Sequence, residues 1–248
     1  MIVIKSPVEI EMMREAGRIT AKALRLVGEA VRPGVTTRAL DKIAEEYIRS
    51  EGAKPAFLGY HGFPATLCTS INEQVVHGIP GKRMLTEGDI LSVDCGAVVD
   101  GFFGDSAMTF AVGEVNPEAR ALMDATRDSL DAGIAKMRAD MRLYDIGAAV
   151  QQVAEAAGFS VVREYVGHGI GRAMHEEPQV PNFGQAGKGV QLKPGMVFAV
   201  EPMVNAGGYE VRSLDDGWTV VTADGSLSAH FEHTIAVTED GPVILTVE

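Results

Sequence analysis

The stretch Ser92-Val-Asp-Cys-Gly-Ala-Val-Val-Asp-Gly-Phe-Phe-Gly-Asp105 carries an Asp-Gly pair, Asp100-Gly101, between two strand-like runs. An Asp-Gly pair between such runs is a strong signal for a β-hairpin with a two-residue turn. With Asp100 and Gly101 as the turn, Val99 pairs with Phe102. The fold is therefore expected to be built around an antiparallel hairpin.

The same hairpin places two carboxylates side by side. Its register pairs Asp94 with Ala107, so that Asp105 lies two residues further along on the same face as Asp94. Such diagonal neighbours lie about 7 to 8 Å apart at the backbone, and their side chains can converge on two metal ions about 3.5 to 4 Å apart. A single aspartate in such a hairpin is more often a solvated residue of a turn or of an edge strand than a ligand. Two inward carboxylates are costly to bury unless they are paired or coordinate a metal.

Two glutamates further along the chain fit the same interpretation. Glu201 lies in Met-Val-Phe-Ala-Val-Glu-Pro, the most apolar stretch of the chain, where a solvated carboxylate is not expected. Glu232 lies in a segment whose alternation places His230, Glu232 and Thr234 on one face and apolar residues on the other. Both glutamates are therefore candidate ligands.

A glycine-rich segment, Gly167-His168-Gly-Ile-Gly171, supplies an imidazole. Its spacing is G-x-G-x-G instead of the G-x-G-x-x-G of dinucleotide-binding loops, and Pro178 would cut short any following helix. We therefore expect the glycines to let the backbone pass near a bound group while His168 faces that group.

The complete donor set contains four carboxylates and one or two imidazoles, without a thiolate. Oxygen-rich sets suit Mn²⁺, Fe²⁺, Co²⁺ or Mg²⁺, and an imidazole makes a transition metal or Zn²⁺ easier to hold. Four carboxylates fit two divalent ions better than one. A serine or cysteine nucleophile is poorly supported, because no G-x-S-x-G motif is present and neither Cys68 nor Cys95 has a neighbouring histidine in the sequence.

The order of helices and strands indicates an α+β protein with an internal repeat. Helices are predicted over residues 7–31 and from Thr36 or Thr37 to Gly52, followed by strands over 56–112. The same order recurs from Asn116-Pro117, with one helix through Met137 and a second that ends at Gly158. We therefore expect one domain, 1–248, whose two lobes cover approximately 1–112 and 113–248 and have the site between them.

Composition excludes several functional classes. The 248 residues carry a formal net charge of −12, and 46% of them are hydrophobic. The negative net charge and the lack of any segment rich in lysine and arginine disfavour DNA binding and polybasic membrane binding. The longest purely apolar run has five residues, whereas a spanning helix needs about 20. Because no secretory leader is recognisable, a cytoplasmic protein is expected.

Together these segments resemble the type I methionine aminopeptidases of the metal-dependent pita-bread superfamily, which includes aminopeptidase P, prolidase and creatinase. The motifs that carry the resemblance run through the chain: Tyr60-His-Gly-Phe, Ile71-Asn-Glu-Gln-Val-Val-His77-Gly-Ile-Pro, the Asp94 to Asp105 hairpin, Gly167-His168-Gly-Ile-Gly171, His175-Glu-Glu-Pro, Glu201-Pro-Met and Phe231-Glu232-His-Thr. The implied fold is α+β, with two pseudo-symmetric lobes of two helices and a sheet around a central antiparallel sheet and a dimetal site. The absence of a zinc-finger extension and of a long insertion in the C-terminal half favours type I.

The resemblance also implies roles for individual residues. Two divalent ions, Co²⁺, Mn²⁺, Fe²⁺ or Zn²⁺, would be bound by Asp94, Asp105, His168, Glu201 and Glu232. Asp105 and Glu232 would bridge both ions, and a bridging hydroxide would be the nucleophile. Glu201 would move its proton to the leaving amine. His175 would hydrogen-bond the carbonyl oxygen, and His77 would contact the amide side of the scissile bond.

For the first side chain of the substrate, the resemblance implies a pocket lined by Phe57, Tyr60, Phe63, Cys68, Met174 and Trp218. Such an apolar, sulfur-tolerant slot suits methionine. Two positions depart from the better-known bacterial pattern, since Phe57 stands where a cysteine is common and Met174 where a phenylalanine is common. A larger residue at one position and a more flexible one at the other can together conserve the volume of the pocket. The resemblance does not determine the shape of the pocket at these two positions.

The implied function is removal of the initiator methionine from nascent polypeptides whose second residue is small. Any contact with the ribosome is expected to be transient, with no specific nucleic acid and no membrane as partners, and the chain is expected to be a monomer. One alternative is an Xaa-Pro peptidase, although those usually carry an N-terminal domain for which 248 residues leave no room. The other is an inactive peptide-binding module. Such modules typically lose metal ligands, and none is missing here.

Overall fold

The structure, a computed structural model, describes residues 1–248. It contains four α-helices, which are α1 (Pro7–Ala30), α2 (Thr37–Ser50), α3 (Pro117–Ile134) and α4 (Leu143–Ala156). The strands of the first half are β1 (Lys54–Pro55), β2 (Leu67–Ile71), β3 (Gln74–Val76), β4 (Ile90–Val99) and β5 (Phe102–Ala111). Those of the second half are β6 (Ser160–Val161), β7 (Gly167–Gly169), β8 (Glu176–Val180), β9 (Val197–Val200), β10 (Met203–Asn205), β11 (Val211–Ser213), β12 (Val220–Thr222), β13 (Ser228–His230), β14 (His233–Thr238) and β15 (Gly241–Ile244).

The first helix of each half begins with a side-chain cap. The Ser6 hydroxyl accepts a hydrogen bond from the backbone of Glu9, whose carboxylate accepts one from the backbone of Ser6, and this reciprocal arrangement is a capping box. The side chain of Asn116 caps α3 by accepting from the backbone of Ala119 at 2.8 Å. None of the four helices combines the length and apolar composition that a membrane crossing requires.

The third helix is shorter than predicted. It ends at Ile134 instead of continuing through Met137, because the chain tightens into a turn in which the backbone of Met137 donates to the carbonyl of Ile134 at 2.9 Å. Met137 is nevertheless fully buried in the apolar core. The helical spacing of apolar residues in the sequence therefore extends past the last residue of the helix, because Met137 is buried from the turn that follows it.

The predicted hairpin is confirmed in its register. Val99 pairs with Phe102 and Asp94 with Ala107, so β4 and β5 form one antiparallel ladder. Asp100 has φ 49° and Gly101 has φ 80°. Positive φ at both turn positions is the geometry of a type I′ turn, which explains why an Asp-Gly pair occupies them.

The helices of each half pack on a sheet. β4 pairs with β5 along one edge and with β2 and β1 along the other, and a five-stranded sheet in the order β15-β14-β9-β7-β8 belongs to the second half. Leu40, Ile48 and Leu91 belong to an apolar core that joins α1 and α2 to β2 and β4. Leu130 and Phe198 belong to a second core that joins α3 and α4 to the five-stranded sheet.

Glycine permits an unusually close contact between α1 and β5. A Cβ atom on Gly104 of β5 would lie 2.6 Å from the backbone nitrogen of Gly17 on α1. The Thr20 hydroxyl also donates to the carbonyl of Gly104 at 3.2 Å. Because Gly104 precedes Asp105, this contact supports the part of β5 that carries a predicted ligand.

Equivalent hydrogen bonds recur in the two halves. The backbone of Gly88 donates to the carbonyl of Val112 at 2.9 Å, and the backbone of Gly195, 107 residues later, donates to the carbonyl of Val237 at 2.9 Å. The two glycines have φ of 91° and 89°, a conformation that glycine adopts readily. The matching bonds support the predicted repeat, whose limits stay a prediction.

Candidate functional site

One cavity of about 260 Å³ gathers residues from both halves of the chain. All thirteen residues that the sequence singled out as metal-binding, catalytic or substrate-binding line it, together with His61. They are Phe57, Tyr60, Phe63, Cys68, His77, Asp94, Asp105, His168, Met174, His175, Glu201, Trp218 and Glu232. The structure therefore brings every predicted site residue to one place.

The polar end of the cavity contains a compact donor cluster. Ligand atoms of Asp105, His168 and Glu232 all lie within 4.8 Å of one another, and the three residues are buried. Asp105 lies on β5, His168 on β7, and Glu232 between β13 and β14. Two strands and the connection between two others thus bring three ligand atoms close enough together to bind one metal ion.

The two other predicted ligands adjoin this cluster. Glu201 follows β9, and its Oε1 atom lies 3.4 Å from Nε2 of His168. Nε2 of His168 also lies 3.9 Å from Oδ2 of Asp105. Asp94 faces the cavity from β4, at the diagonal position to Asp105 that the hairpin register predicts.

Several oxygens of this cluster have no protein partner. Asp94 Oδ1, Asp105 Oδ1 and Glu232 Oε1 are buried without a hydrogen bond, and no lysine or arginine forms an ion pair with any of the four carboxylates. Buried unpaired carboxylates are costly unless a cation compensates them. The donor set and its unpartnered oxygens therefore fit divalent metal.

Burial also perturbs the titration of these groups. Burial raises the pKa of Asp105 to about 7. It also raises the pKa of Asp94, Glu201 and Glu232 well above the ordinary range, and for these three residues the charge of neighbouring carboxylates raises the pKa further. Burial lowers the pKa of His168 to about 4, so its imidazole is neutral at pH 7. A neutral imidazole offers the lone pair that a metal requires.

The orientation of His168 is set by its own strand. Its Nδ1 atom lies 2.9 Å from the carbonyl oxygen of Gly169, which leaves Nε2 on the side of the carboxylates. A hydrogen bond at one ring nitrogen commonly fixes which nitrogen is presented to a metal.

The glycines that flank His168 are also required by strand packing, while their expected role beside a bound group stays a prediction. A Cβ atom on Gly167 would lie 2.4 Å from the carbonyl oxygen of Ala199 on β9, and one on Gly169 would lie 2.3 Å from that of Glu177 on β8. The neighbouring strands thus require glycine on both sides of His168.

Two further histidines line the cavity. Nδ1 of His175 lies 2.8 Å from the hydroxyl of Tyr60, and the His175 ring centroid is 4.3 Å from that of His168. His77 has φ 61°, a strained conformation for a residue other than glycine. Burial lowers the pKa of His77 to about 4. Both rings belong to the same lining as the carboxylates.

The other end of the cavity is apolar. Phe57, Phe63, Cys68 and Met174 are buried in one cluster, and the Trp218 ring meets the Phe63 ring edge-on at a centroid distance of 5.0 Å. Burial raises the pKa of the Cys68 thiol, which therefore stays protonated and apolar. The cavity thus joins a metal-binding end to an apolar slot.

Comparison with known proteins assigns this arrangement to a family. The model of metallopeptidase family M24 matches residues 11–239. The chain belongs to the M24 metallopeptidases. A methionine aminopeptidase of Clostridium perfringens is 56% identical over 247 residues, covering 100% of this chain and 99% of the relative, and one of Bacillus subtilis is 51% identical, covering 99% of each.

Solved structures agree with this assignment. The methionine aminopeptidase of Thermotoga maritima superposes with a TM-score of 0.99 at 48% identity, and the match covers 100% of both chains. The predicted pita-bread fold is thereby confirmed, and within the M24 family this enzyme groups with the methionine aminopeptidases.

The structure of this M24 enzyme also shows contacts that the sequence did not predict. His61 lines the cavity, and its ring centroid is 4.4 Å from that of Tyr60. The Asn182 side chain donates to the carbonyl oxygen of Glu201 at 3.0 Å. No local pattern singles out Asn182, whereas the position of His61 beside Tyr60 was a usable signal.

The strand predicted around Glu232 is interrupted. β13 ends at His230 and β14 begins at His233, and between them the backbone of Glu232 donates to the carbonyl of Ala107 on β5 at 2.9 Å. The hydroxyl of Thr234 accepts from the backbone of Asp105 at 3.1 Å. These bonds fasten the segment to β5 and thereby place Glu232 beside Asp105.

Proposed function

We propose that this M24 enzyme removes the N-terminal initiator methionine from new polypeptides whose second residue is small. The observation that carries the proposal is the single cavity in which a buried carboxylate–imidazole cluster adjoins an apolar, sulfur-lined slot. The close relatives named methionine aminopeptidase support the same activity.

The predicted cofactor is a pair of divalent ions, with Co²⁺, Mn²⁺, Fe²⁺ and Zn²⁺ as candidates. Their proposed ligands are Asp94, Asp105, His168, Glu201 and Glu232. The unpartnered buried oxygens of three of these residues support the assignment, and four carboxylates balance the charge of two divalent ions. Bound there, divalent metal would lower the pKa of a water molecule to about 7 and so would make hydroxide available near neutral pH.

Residues of the chain would then transfer the proton and stabilise the negative charge that develops on the substrate. Glu201 would take the proton that the attacking water loses and pass it to the leaving amine. His175 donates a hydrogen bond to the carbonyl oxygen of the scissile bond as that oxygen gains charge. His77 contacts the amide side of the same bond. The positions of His175 and His77 in the cavity lining support both roles.

The apolar slot would hold the methionine side chain. Its proposed lining consists of Phe57, Tyr60, Phe63, Cys68, Met174 and Trp218. A thioether is polarizable and packs well against aromatic rings and sulfur. Phe57 and Met174 pack in the same buried cluster, so their combined volume would set the shape of the slot.

The proposed substrates indicate the cellular compartment in which the enzyme works. Nascent N-termini emerge in the cytoplasm, and we place the enzyme there as a monomer. The formal net charge of −12 opposes general affinity for RNA, so any contact with the ribosome would be transient.

The test is peptide hydrolysis by metal-stripped protein to which Mn²⁺ or Co²⁺ is returned. The substrates are Met-Ala-Ser, Met-Lys-Ser and Ala-Pro-Ser, with release of the first amino acid as the readout. We expect metal-dependent release of Met from Met-Ala-Ser and much slower release from the other two. Faster cleavage of Ala-Pro-Ser would identify an Xaa-Pro peptidase, and no cleavage of any peptide would favour an inactive binding module.

A further inference from the structure

His230 is a buried histidine without a role in the mechanism described above. It is 1% exposed, and neither Nδ1 nor Nε2 has a hydrogen-bond partner. Buried polar side chains are nearly always hydrogen-bonded, so a fully unpartnered imidazole calls for a physical explanation. His230 also lies outside the lining of the cavity.

The backbone around His230 is held firmly. Its N–H donates to the hydroxyl of Thr109 at 2.9 Å, and its carbonyl oxygen accepts from the same hydroxyl at 2.8 Å. Met203 pairs with His230 across the β10–β13 ladder. The backbone that carries the ring is therefore fixed on both sides of the ladder.

The carboxylate of Glu201 lies close to this ring. Nε2 of His230 lies 3.8 Å from Oε2 of Glu201, whereas Oε1 of the same carboxylate lies 3.4 Å from Nε2 of His168. The two oxygens of Glu201 thus face different histidines. One oxygen belongs to the proposed metal centre, and the other points back towards His230.

A hydrogen bond between His230 and Glu201 requires only a small adjustment. The separation of 3.8 Å exceeds the upper limit of a direct N–H···O bond, about 3.2 Å, by about 0.6 Å, and a single water can also bridge such a gap. An imidazole carries at least one N–H in either protonation state. A carboxylate oxygen is the acceptor that this N–H lacks.

We propose that His230 is a positioning residue for Glu201: Nε2–H of His230 donates to Oε2, directly or through one water, and so holds Oε1 on the side of His168. The bond fixes the rotation of the Glu201 carboxylate about its last side-chain torsion. Partners behind a metal ligand commonly change metal affinity or activity by about 10- to 100-fold when they are removed. The catalytic part of this inference rests on the proposed function, and the metal-binding part stands without it.

The experiment compares two substitutions at His230 with one at a control position. His230→Phe keeps a ring of similar shape but removes the N–H, whereas His230→Gln keeps a donor at similar reach. His233→Phe is the matched control, because His233 lies three residues away and its Nδ1 is paired with the Thr246 hydroxyl at 2.8 Å, outside the cavity lining. Each metal-stripped protein is titrated with Mn²⁺ by calorimetry and then assayed for kcat and KM with Met-Ala-Ser.

We expect His230→Phe to weaken Mn²⁺ binding about 10-fold or more, to lower kcat by a similar factor and to leave KM within about twofold. His230→Gln should recover most of both losses, and His233→Phe should match the wild type. Thermal melting of the metal-free proteins establishes that each is folded. If His230→Phe does not fold, His230→Asn replaces it, because its shorter amide does not reach Glu201.

Three results would overturn the proposal. The first is wild-type Mn²⁺ affinity and kcat in folded His230→Phe, and the second is a loss confined to KM, which would place His230 against the substrate. The third is a folded His230→Gln that is no better than His230→Phe. If the wild type itself released no methionine, the proposed function would fail, and the Mn²⁺ titrations would still decide the role of His230.

Discussion

The hydroxyl of Tyr60 lies 2.8 Å from Nδ1 of His175, which joins the segment before β2 to the segment before β8 at the edge of the cavity. With Nδ1 accepting from Tyr60, the proton of a neutral His175 resides on Nε2. The pKa of His175 is lowered by burial, which keeps the ring neutral at pH 7. Tyr60 would therefore prepare His175 to donate to a carbonyl oxygen.

Replacement of Tyr60 by phenylalanine tests this relationship. Tyr60→Phe keeps the aromatic wall of the slot but removes the hydrogen bond, which is worth about 1 kcal/mol, or about fivefold in rate. We expect kcat for Met-Ala-Ser to fall by about that factor with little change in KM. Tyr144→Phe, at an exposed tyrosine on α4, is the control. A rise in KM without a change in kcat would instead assign Tyr60 to substrate binding alone.

The pKa of Asp105 predicts how the metal-free protein responds to pH. The folded-state pKa is about 7, whereas aspartate in an unfolded chain has a pKa of about 3.9. Ionisation of Asp105 therefore removes stability as the pH rises through about 4 to 7. Asp105→Asn carries no such charge. The metal-free variant should become progressively more stable than metal-free wild type over this window, with little difference at pH 4.

Chemical denaturation with a chelator present, at pH 4, 6 and 8, measures this difference. Buried histidines such as His77 and His168 have lowered pKa values and give the opposite slope in the same range, but both proteins contain them and subtraction largely removes their effect. Asp128→Asn, at an exposed position on α3, is the control. A difference that stays constant with pH, or that favours the wild type at pH 8, would contradict the burial argument.

Metal should stabilise the folded wild type. A ligand that binds only the folded state at 100 times its Kd contributes about 2.7 kcal/mol, so Mn²⁺ should raise the Tm of metal-stripped protein. The same addition should have a much smaller effect on Asp105→Asn, which lacks one of the proposed ligands. Equal rises of Tm in the two proteins would place the bound metal elsewhere.

The contact between α1 and β5 provides a prediction about the fold. Gly104→Ala brings a Cβ atom to 2.6 Å from the backbone of Gly17, where no flexible side chain can yield. Overpacking of this kind costs about 1 to 3 kcal/mol. We expect a lower Tm and, because Asp105 is adjacent, slower release of methionine. Gly81→Ala, where the nearest atom would be 3.9 Å away, should leave both quantities unchanged.

The local parts of this architecture were predictable from the sequence. The Asp-Gly pair at 100–101 defines the turn, and period-two alternation then determines that Asp94 and Asp105 share a face. The caps at Ser6 and Asn116 likewise mark the starts of α1 and α3. These features depend on residues close together in the chain.

Contacts between distant segments were not predictable in the same way. Lys5 forms a buried ion pair with Glu176 at 2.6 Å, and Asn182 holds the carbonyl of Glu201. Alternation places His230 on the face of Glu232 but does not reveal that its ring stands behind Glu201. Periodicity describes one segment at a time, whereas these contacts depend on how segments pack. The common location of the catalytic and pocket residues was expected from the family resemblance.

The most direct test of the account is the release of methionine from Met-Ala-Ser by wild type and by Glu201→Gln as Mn²⁺ is added to metal-stripped protein. Glutamine keeps the size of the side chain but cannot carry the proton to the leaving amine. We predict no release without metal, restoration in the wild type as Mn²⁺ binds, and no appreciable turnover in a folded Glu201→Gln at any Mn²⁺ concentration. Substantial methionine release by the metal-stripped wild type, or by Glu201→Gln, would contradict it.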